Sequence, residues 1–227
     1  MNAPDLSKYS RHYRDQDDEQ VERAIASMQS RLEDHRLRLD LDCILPWVKG
    51  PDVLDFPIGT GRLYPNLIDR FNVFGYDIAP LYIQRARTLH PSLVDNFQIC
   101  PIEAPRQDRK FDTAITLRTL YNIKQPWMAF RGVSSILKSG GRWIFTYVPF
   151  SETHADMSRM VSDAGMQIIH RQFYDFHAGP KNGRLVQSMY SRYLKLIEAG
   201  LVPYFAYKTV DRLFAKHGME LIVAEKV

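Results

Sequence analysis

Gly59 and Gly61 flank Thr60, and Asp77 stands at the end of the next apolar run. Glycine carries no Cβ and enters φ > 0 freely, so a ligand can come close to the backbone there. A helix that starts after such a turn aims unpaired N–H groups and a partial positive charge at whatever lies in front of it. The Asp77 carboxylate is an acceptor and can take hydrogen bonds from both hydroxyls of a ribose. Taken separately, the glycines suit an ordinary tight turn and Asp77 a solvated strand end. At this spacing and in this order, they suit a nucleoside-bearing cofactor.

These residues need a strand, a turn, a helix and a second strand to position them. Val53-Leu54-Asp55-Phe56-Pro57-Ile58 begins as a short apolar run and passes into the glycines. Leu63, Leu67 and Ile68 follow at helical spacing, with Pro65 in the first turn, where a missing N–H costs little. Asn72 to Ile78 then reads as the second strand, which completes a βαβ unit. In open α/β sheets the ligand lies outside the carboxyl ends of the strands, and both Gly59-Thr60-Gly61 and Asp77 fall on that edge.

The stretch Val53-Leu54-Asp55-x-Pro57-x-Gly59-Thr60-Gly61-Arg62, with Gly75-Tyr76-Asp77 after it, resembles the first two motifs of class I S-adenosylmethionine (SAM)-dependent methyltransferases. Phe111 to Leu117 resembles the fourth strand of that family, and Leu137 to Phe145 the turn into its fifth. The resemblance covers residues 50–150 and implies a Rossmann-like α/β fold. Its sheet would be seven-stranded and mostly parallel, with helices on both faces. It implies SAM as cofactor, held by Asp55, Pro57, Gly59, Thr60, Gly61, Asp77, Ile78, Ile102 and Leu117. Arg118 and Tyr121, just past the fourth strand, then fall where donor and acceptor meet. The sequence departs from the family at Pro57, where a glycine is common. It departs again at Cys100-Pro101-Ile102-Glu103, where an acid often holds the adenine amino group. A nicotinamide-dependent dehydrogenase is the competing enzyme class, but its Gly-x-Gly-x-x-Gly fingerprint fails at Tyr64. A non-catalytic SAM-binding protein is a third reading.

The rest of the chain supplies flanking elements. At 227 residues with 45% hydrophobic content, it suits one α/β domain with an elaboration. Residues 1–15, with Tyr9 and Tyr13, read as a frayed terminus or as a flap over the cofactor. Val21, Ile25, Met28, Leu32 and Leu39 predict one helix over 17–40, so residues 1–48 form a flap and a helix. Trp127 to Leu137 is a core-facing helix ended by Gly140-Gly141, and Trp143 to Val148 the fifth strand. Helices are expected over 157–164, 185–197 and 209–216, with strands over 167–169 and 220–224. Near 170–207 the chain exceeds an ordinary connection by roughly forty residues. That stretch is rich in tyrosine and phenylalanine, including Tyr190 and Tyr193. It reads as a helical cap over the acceptor, with Arg118, Tyr121, Tyr190 and Tyr193 as substrate residues, or as a homodimer surface. Residues 208–227 close the domain.

Candidates for a general base are His154, just beyond the fifth strand, and Tyr121. A base is needed only if the acceptor arrives protonated. The net charge of +4 is dispersed among acids, and no basic stripe or Asn/Asp-Pro-Pro-aromatic motif points to nucleic acid. A small-molecule acceptor methylated on oxygen or nitrogen is therefore expected. Cys43 and Cys100 show no metal spacing, and Met1-Asn2-Ala3-Pro4-Asp5 no signal pattern. No apolar run reaches membrane-spanning length, so a cytoplasmic setting without membrane contact is expected.

Overall fold

The computed structural model describes residues 14–123, 125–148, 157–175, 183–214 and 218–227. Strands β1 (Asp52–Asp55), β2 (Asn72–Asp77), β3 (Phe97–Ile99), β4 (Phe111–Thr116), β5 (Leu137–Tyr147), β6 (Met166–Tyr174) and β7 (Met219–Lys226) form one sheet. Their order is β3-β2-β1-β4-β5-β7-β6. The first five pair in parallel, while β7 runs antiparallel to both β5 and β6. The seven-stranded, mostly parallel, Rossmann-like α/β sheet is the expected one. The chain starts in the middle at β1, builds outward to β3, and returns to β4 on the other side. That reversal opens a crevice at the carboxyl ends of β1 and β4.

Alternation along the strands divides two cores. Leu54, Phe74, Ala114, Trp143 and Phe145 face helix α5 (Pro126–Ile136) and α6 (Met157–Asp163). Val53, Val73, Ile115, Ile144 and Val223 face α2 (Arg31–Ile44), the one-turn α3 (Tyr64–Leu67) and α4 (Pro80–Leu89). Strands covered on both faces read as nearly continuous apolar runs, which is why β1, β2 and β4 were legible.

Several boundaries differ from expectation. The helix predicted over 17–40 is two, α1 (Asp18–Ser27) and α2, because two caps compete with one long helix. Asp17 accepts from the Gln20 backbone in a capping box, and the Ser30 hydroxyl accepts from the Glu33 backbone at 3.2 Å. The two glycines placed at the end of α5 lie inside β5 instead, beside a register shift in its pairing with β4. Gly140 has φ +67, a conformation open to glycine without penalty.

The extra segment also departs from its predicted bounds. β6 continues to Tyr174, and the insertion between β6 and β7 holds α7 (Gly183–Glu198) and α8 (Tyr204–Phe214). Both pack on α2. Ile197, Tyr193, Tyr204 and Tyr207 join the core containing Leu39 and Ile44, and the Glu198 carboxylate accepts from the backbone N–H groups of Arg31 and Leu32. That carboxylate sits where the α2 dipole favours a negative charge. No described helix is long and apolar enough to cross a membrane.

Candidate functional site

Asp55, Asp77 and Thr116 end neighbouring strands, so three strand ends open on one edge. The chain leaves β1 through Phe56–Gly61, with the Phe56–Pro57 peptide cis. The Ile58 N–H donates to the Tyr76 carbonyl at 2.9 Å, and the Gly61 N–H donates to the Ile58 carbonyl at 2.9 Å. Gly59 and Gly61 take φ +50 and +74, and a Cβ added at either would meet nothing within 4 Å. Open space above a left-handed glycine turn is what a ligand lying against the backbone requires. Gly75 has a different reason: a Cβ there would stand 2.3 Å from Ile58 Cδ1, so its absence lets the loop settle on β2.

Asp77 is tied to this loop. Its Oδ2 accepts from the Gly59 N–H at 2.8 Å and its Oδ1 from the Ala79 N–H at 2.9 Å. Burial pushes its carboxyl up to about 6, against the pull of these backbone donors. Burial, and then the charge of Asp77, hold the Asp55 carboxyl well above the usual carboxylate range, with Arg62 acting the other way. Two buried carboxyls therefore stand at the cavity floor with little cationic compensation. A ligand that brings hydroxyl donors and positive charge would supply it.

The cavity measures about 420 Å³, within the ordinary range for small-molecule sites. Of the residues singled out in the sequence, Asp55, Pro57, Gly59, Thr60, Asp77, Ile78, Ile102, Leu117 and Arg118 line it. Gly61 shapes the loop without lining the cavity. Tyr121 is half exposed and outside the lining, although its neighbours Thr119, Asn122 and Ile123 belong to it. Tyr190 and Tyr193 also lie outside it. Tyr190 stands next to Arg36, which does line the cavity, and Tyr193 packs behind α2. The described helices of the insertion turn their apolar faces to α2. His154, Tyr9 and Tyr13 lie outside the described residues. His170 stacks on Trp47 at 4.3 Å.

Sequence reasoning missed part of the lining. Ala24 and Met28 bring α1 to the cavity, and Glu33 and Arg36 bring α2; Arg62, Tyr82 and Glu103 complete it. Arg62 stood in the glycine motif, while Met28 and Glu103 were read only for helical spacing and for the departure after the third strand.

Behind the lining lies a buried ionic cluster. Arg118 pairs with Asp175 and, at 3.1 Å, with Asp40. Asp40 also accepts from Arg62 and, at 2.9 Å, from the Tyr174 hydroxyl. Burial raises the Asp40 carboxyl even between Arg118 and Arg62. Burial also works against the Arg118 charge, but Asp40 and Asp175 outweigh it and hold Arg118 well above its ordinary value. Arg118 and Asp175 take φ +56 and +54, strained values for residues with side chains.

A family model described as a methyltransferase domain matches residues 16–223. The chain belongs to that family and is a SAM-dependent methyltransferase. Solved structures share this methyltransferase's fold at low identity. The chain complexed with the Haloferax volcanii Trm112 methyltransferase activator has a TM-score of 0.61 at 19% identity, over 94% of this chain and 96% of that one. The N-methyltransferase NodS of Bradyrhizobium japonicum, in complex with S-adenosyl-L-homocysteine, scores 0.60 at 13% identity, covering 92% and 97%. The magnesium protoporphyrin IX methyltransferase of Synechocystis, with SAM bound, scores 0.57 at 14% identity, covering 96% and 89%. A search of curated proteins found no match.

Proposed function

We propose that this methyltransferase moves the methyl group of SAM to an oxygen or nitrogen of a small-molecule acceptor by in-line displacement. The observation that carries the reading is the pairing of Asp77 with an open glycine loop across one cavity from Leu117–Thr119. In that reading Asp77 would accept from the ribose hydroxyls, Gly59, Thr60 and Pro57 would lie beside the cofactor, Ile78 and Ile102 would cover the adenine, and Asp55 would ionise against the cofactor's positive charge. SAM supplies a methyl group on a sulfonium, so the residues of the chain need to orient the acceptor and keep water out.

Arg118 and Thr119, just past β4, provide polar contacts for the acceptor, while Leu117 stays with the cofactor. Tyr190 and Tyr193 act from behind α2, through the position of Arg36. A cavity of about 420 Å³ with α1 beside it suits a small molecule better than a polymer. His154 and Tyr121 are the candidates for taking the acceptor's proton. The two thiols, Cys43 and Cys100, are unpaired with each other and fit a reducing, cytoplasmic setting.

Calorimetric titration tests the cofactor reading. S-adenosylhomocysteine should bind and NAD should not; binding of NAD alone would reverse the assignment. A metabolite screen with methyl-labelled SAM then identifies the acceptor, and labelling confined to macromolecules would overturn the small-molecule reading. In His154→Ala and Tyr121→Phe, loss of the alkaline plateau of kcat would mark the proton acceptor.

A further inference from the structure

Helix α7 turns Tyr193, Leu194 and Ile197 to α2 and packs there. A second apolar line stays outside. Leu185, Met189 and Leu196 keep 75%, 63% and 46% of their surface exposed, and Leu201, just past the helix, keeps 69%. At about 100° per residue, the first three fall within about 40° of one another. Among the described residues, eight of the seventeen exposed large apolar side chains lie between 183 and 214, so the exposure is concentrated on this insertion. Scattered apolar residues need no explanation, but a row of them along one helix line marks a contact surface.

The charges beside that line are of one sign. Arg184, Arg192 and Lys195 are exposed and make no ion pair among the described residues. Arg192 falls in the apolar line, and Arg184 and Lys195 lie on its side away from α2. Leu185 and Leu196 are eleven positions apart, as are Arg184 and Lys195, so an apolar row and a basic row run side by side over about 16 Å. Between 183 and 201 the chain holds one acid, Glu198, whose two oxygens accept from the Arg31 and Leu32 N–H groups. At the end of the helix Arg31 adds a fourth cation beside Gly200, where the lack of a Cβ makes room for its guanidinium.

We propose that this face of α7 lies on the surface of an anionic lipid bilayer. Leu185, Met189 and Leu196 enter the boundary between headgroups and acyl chains, while Arg184, Arg192 and Lys195 meet lipid phosphates. A second copy of the chain fits the face poorly. Two-fold pairing sets its cations against their own copies with no free acid between them. A single row of side chains also falls short of the roughly 800 Å² per partner that a stable protein interface buries. A bilayer demands no matching shape, only apolar depth and negative charge. Such contact needs no spanning helix, and no described helix is long and apolar enough to span. It is independent of the cofactor reading, since α7 does not line the cavity.

The test is flotation of the full chain with vesicles of phosphatidylcholine and phosphatidylglycerol, beside vesicles of phosphatidylcholine alone. Binding to the mixed vesicles is expected, weakening as salt rises and about ten-fold or more above binding to the neutral ones. Arg184→Gln, Arg192→Gln and Lys195→Gln together should weaken it about a hundred-fold. Leu185→Gln with Met189→Gln should weaken it about ten-fold at every salt concentration. These positions are exposed, so melting temperature and S-adenosylhomocysteine affinity should match those of the unaltered chain and show that the variants are folded. Failure of the unaltered chain to bind the mixed vesicles, or equal binding to both kinds, would overturn the proposal without recourse to any variant. Unchanged binding in either set of variants would overturn it too. A dimer seen by light scattering, dissolved by Leu185→Gln with Met189→Gln and silent toward vesicles, would assign the face to a second copy instead.

Discussion

Asp77 links the geometry to a measurable pH dependence. Its carboxyl is buried, bonded to the Gly59 and Ala79 N–H groups, and raised by burial from 3.8 to about 6. Ribose hydroxyls require the ionised form as acceptor. Below the folded pKa, affinity should therefore fall in step with the ionised fraction. At pH 5 about one molecule in eleven is ionised, so S-adenosylhomocysteine should bind about ten-fold more weakly than at pH 8. The stability of the free protein has the opposite sense. The folded pKa lies above the unfolded one, so the unfolded chain loses this proton first as pH rises. Stability from this group is greatest below about pH 4, declines through about pH 6, and is then flat, a span of about 3 kcal/mol. Asp77→Asn removes the titration while keeping the shape. Its amide cannot accept from both N–H groups with two oxygens, so affinity should also drop ten- to a hundred-fold at pH 8, by about 1.5–3 kcal/mol. Calorimetry from pH 5 to 8 on both proteins, with urea melts of the free forms, provides the measurement. An affinity that is flat over that range, or an identical profile in Asp77→Asn, would refute the assignment of the ribose to Asp77.

Other substitutions examine separate parts of the structure. Gly61→Val forces a β-branched side chain to φ +74 with no neighbour to clash, so its cost is conformational, about 2 kcal/mol, read in a thermal melt together with weaker cofactor binding. Arg118→Met should destabilise by about 3 kcal/mol in urea, because Asp40 and Asp175 lose a shared cation in a buried setting; a loss below about 1 kcal/mol would show that the cluster is not cooperative. Tyr193→Phe removes a buried hydroxyl without a partner among the described residues, so melting temperature should hold or rise; a clear fall would reveal a hydrogen bond.

The βαβ unit that lines one side of the cavity was legible because it is local. Gly59, Gly61 and Asp77 are placed by one βαβ unit, whose strands announce themselves as apolar runs and whose turn needs left-handed glycines. The Gln29-Ser30 break between α1 and α2 was hidden, because the apolar positions from Val21 to Leu39 fit one continuous helix as well as two. The caps that end one helix and start the next decide between them. The role of Gly75 could not be read from β2 at all, since it depends on a side chain from another loop.

By itself, the sequence determined the strand-turn-helix unit, the acid at the end of β2 and the parallel sheet that holds them, all from short-range pattern and backbone sterics. Only the tertiary structure decided what faces those residues. Arg36, Arg62 and Arg118 come from a flanking helix, the glycine loop and the end of β4, and they meet over Asp40 and Asp175, which are 135 positions apart in the chain. The insertion that carries Tyr190 and Tyr193 turns its apolar face to α2. Charges and aromatic residues carry no mark of their partners in one dimension. Their roles follow from burial, which exists only after the layers have packed.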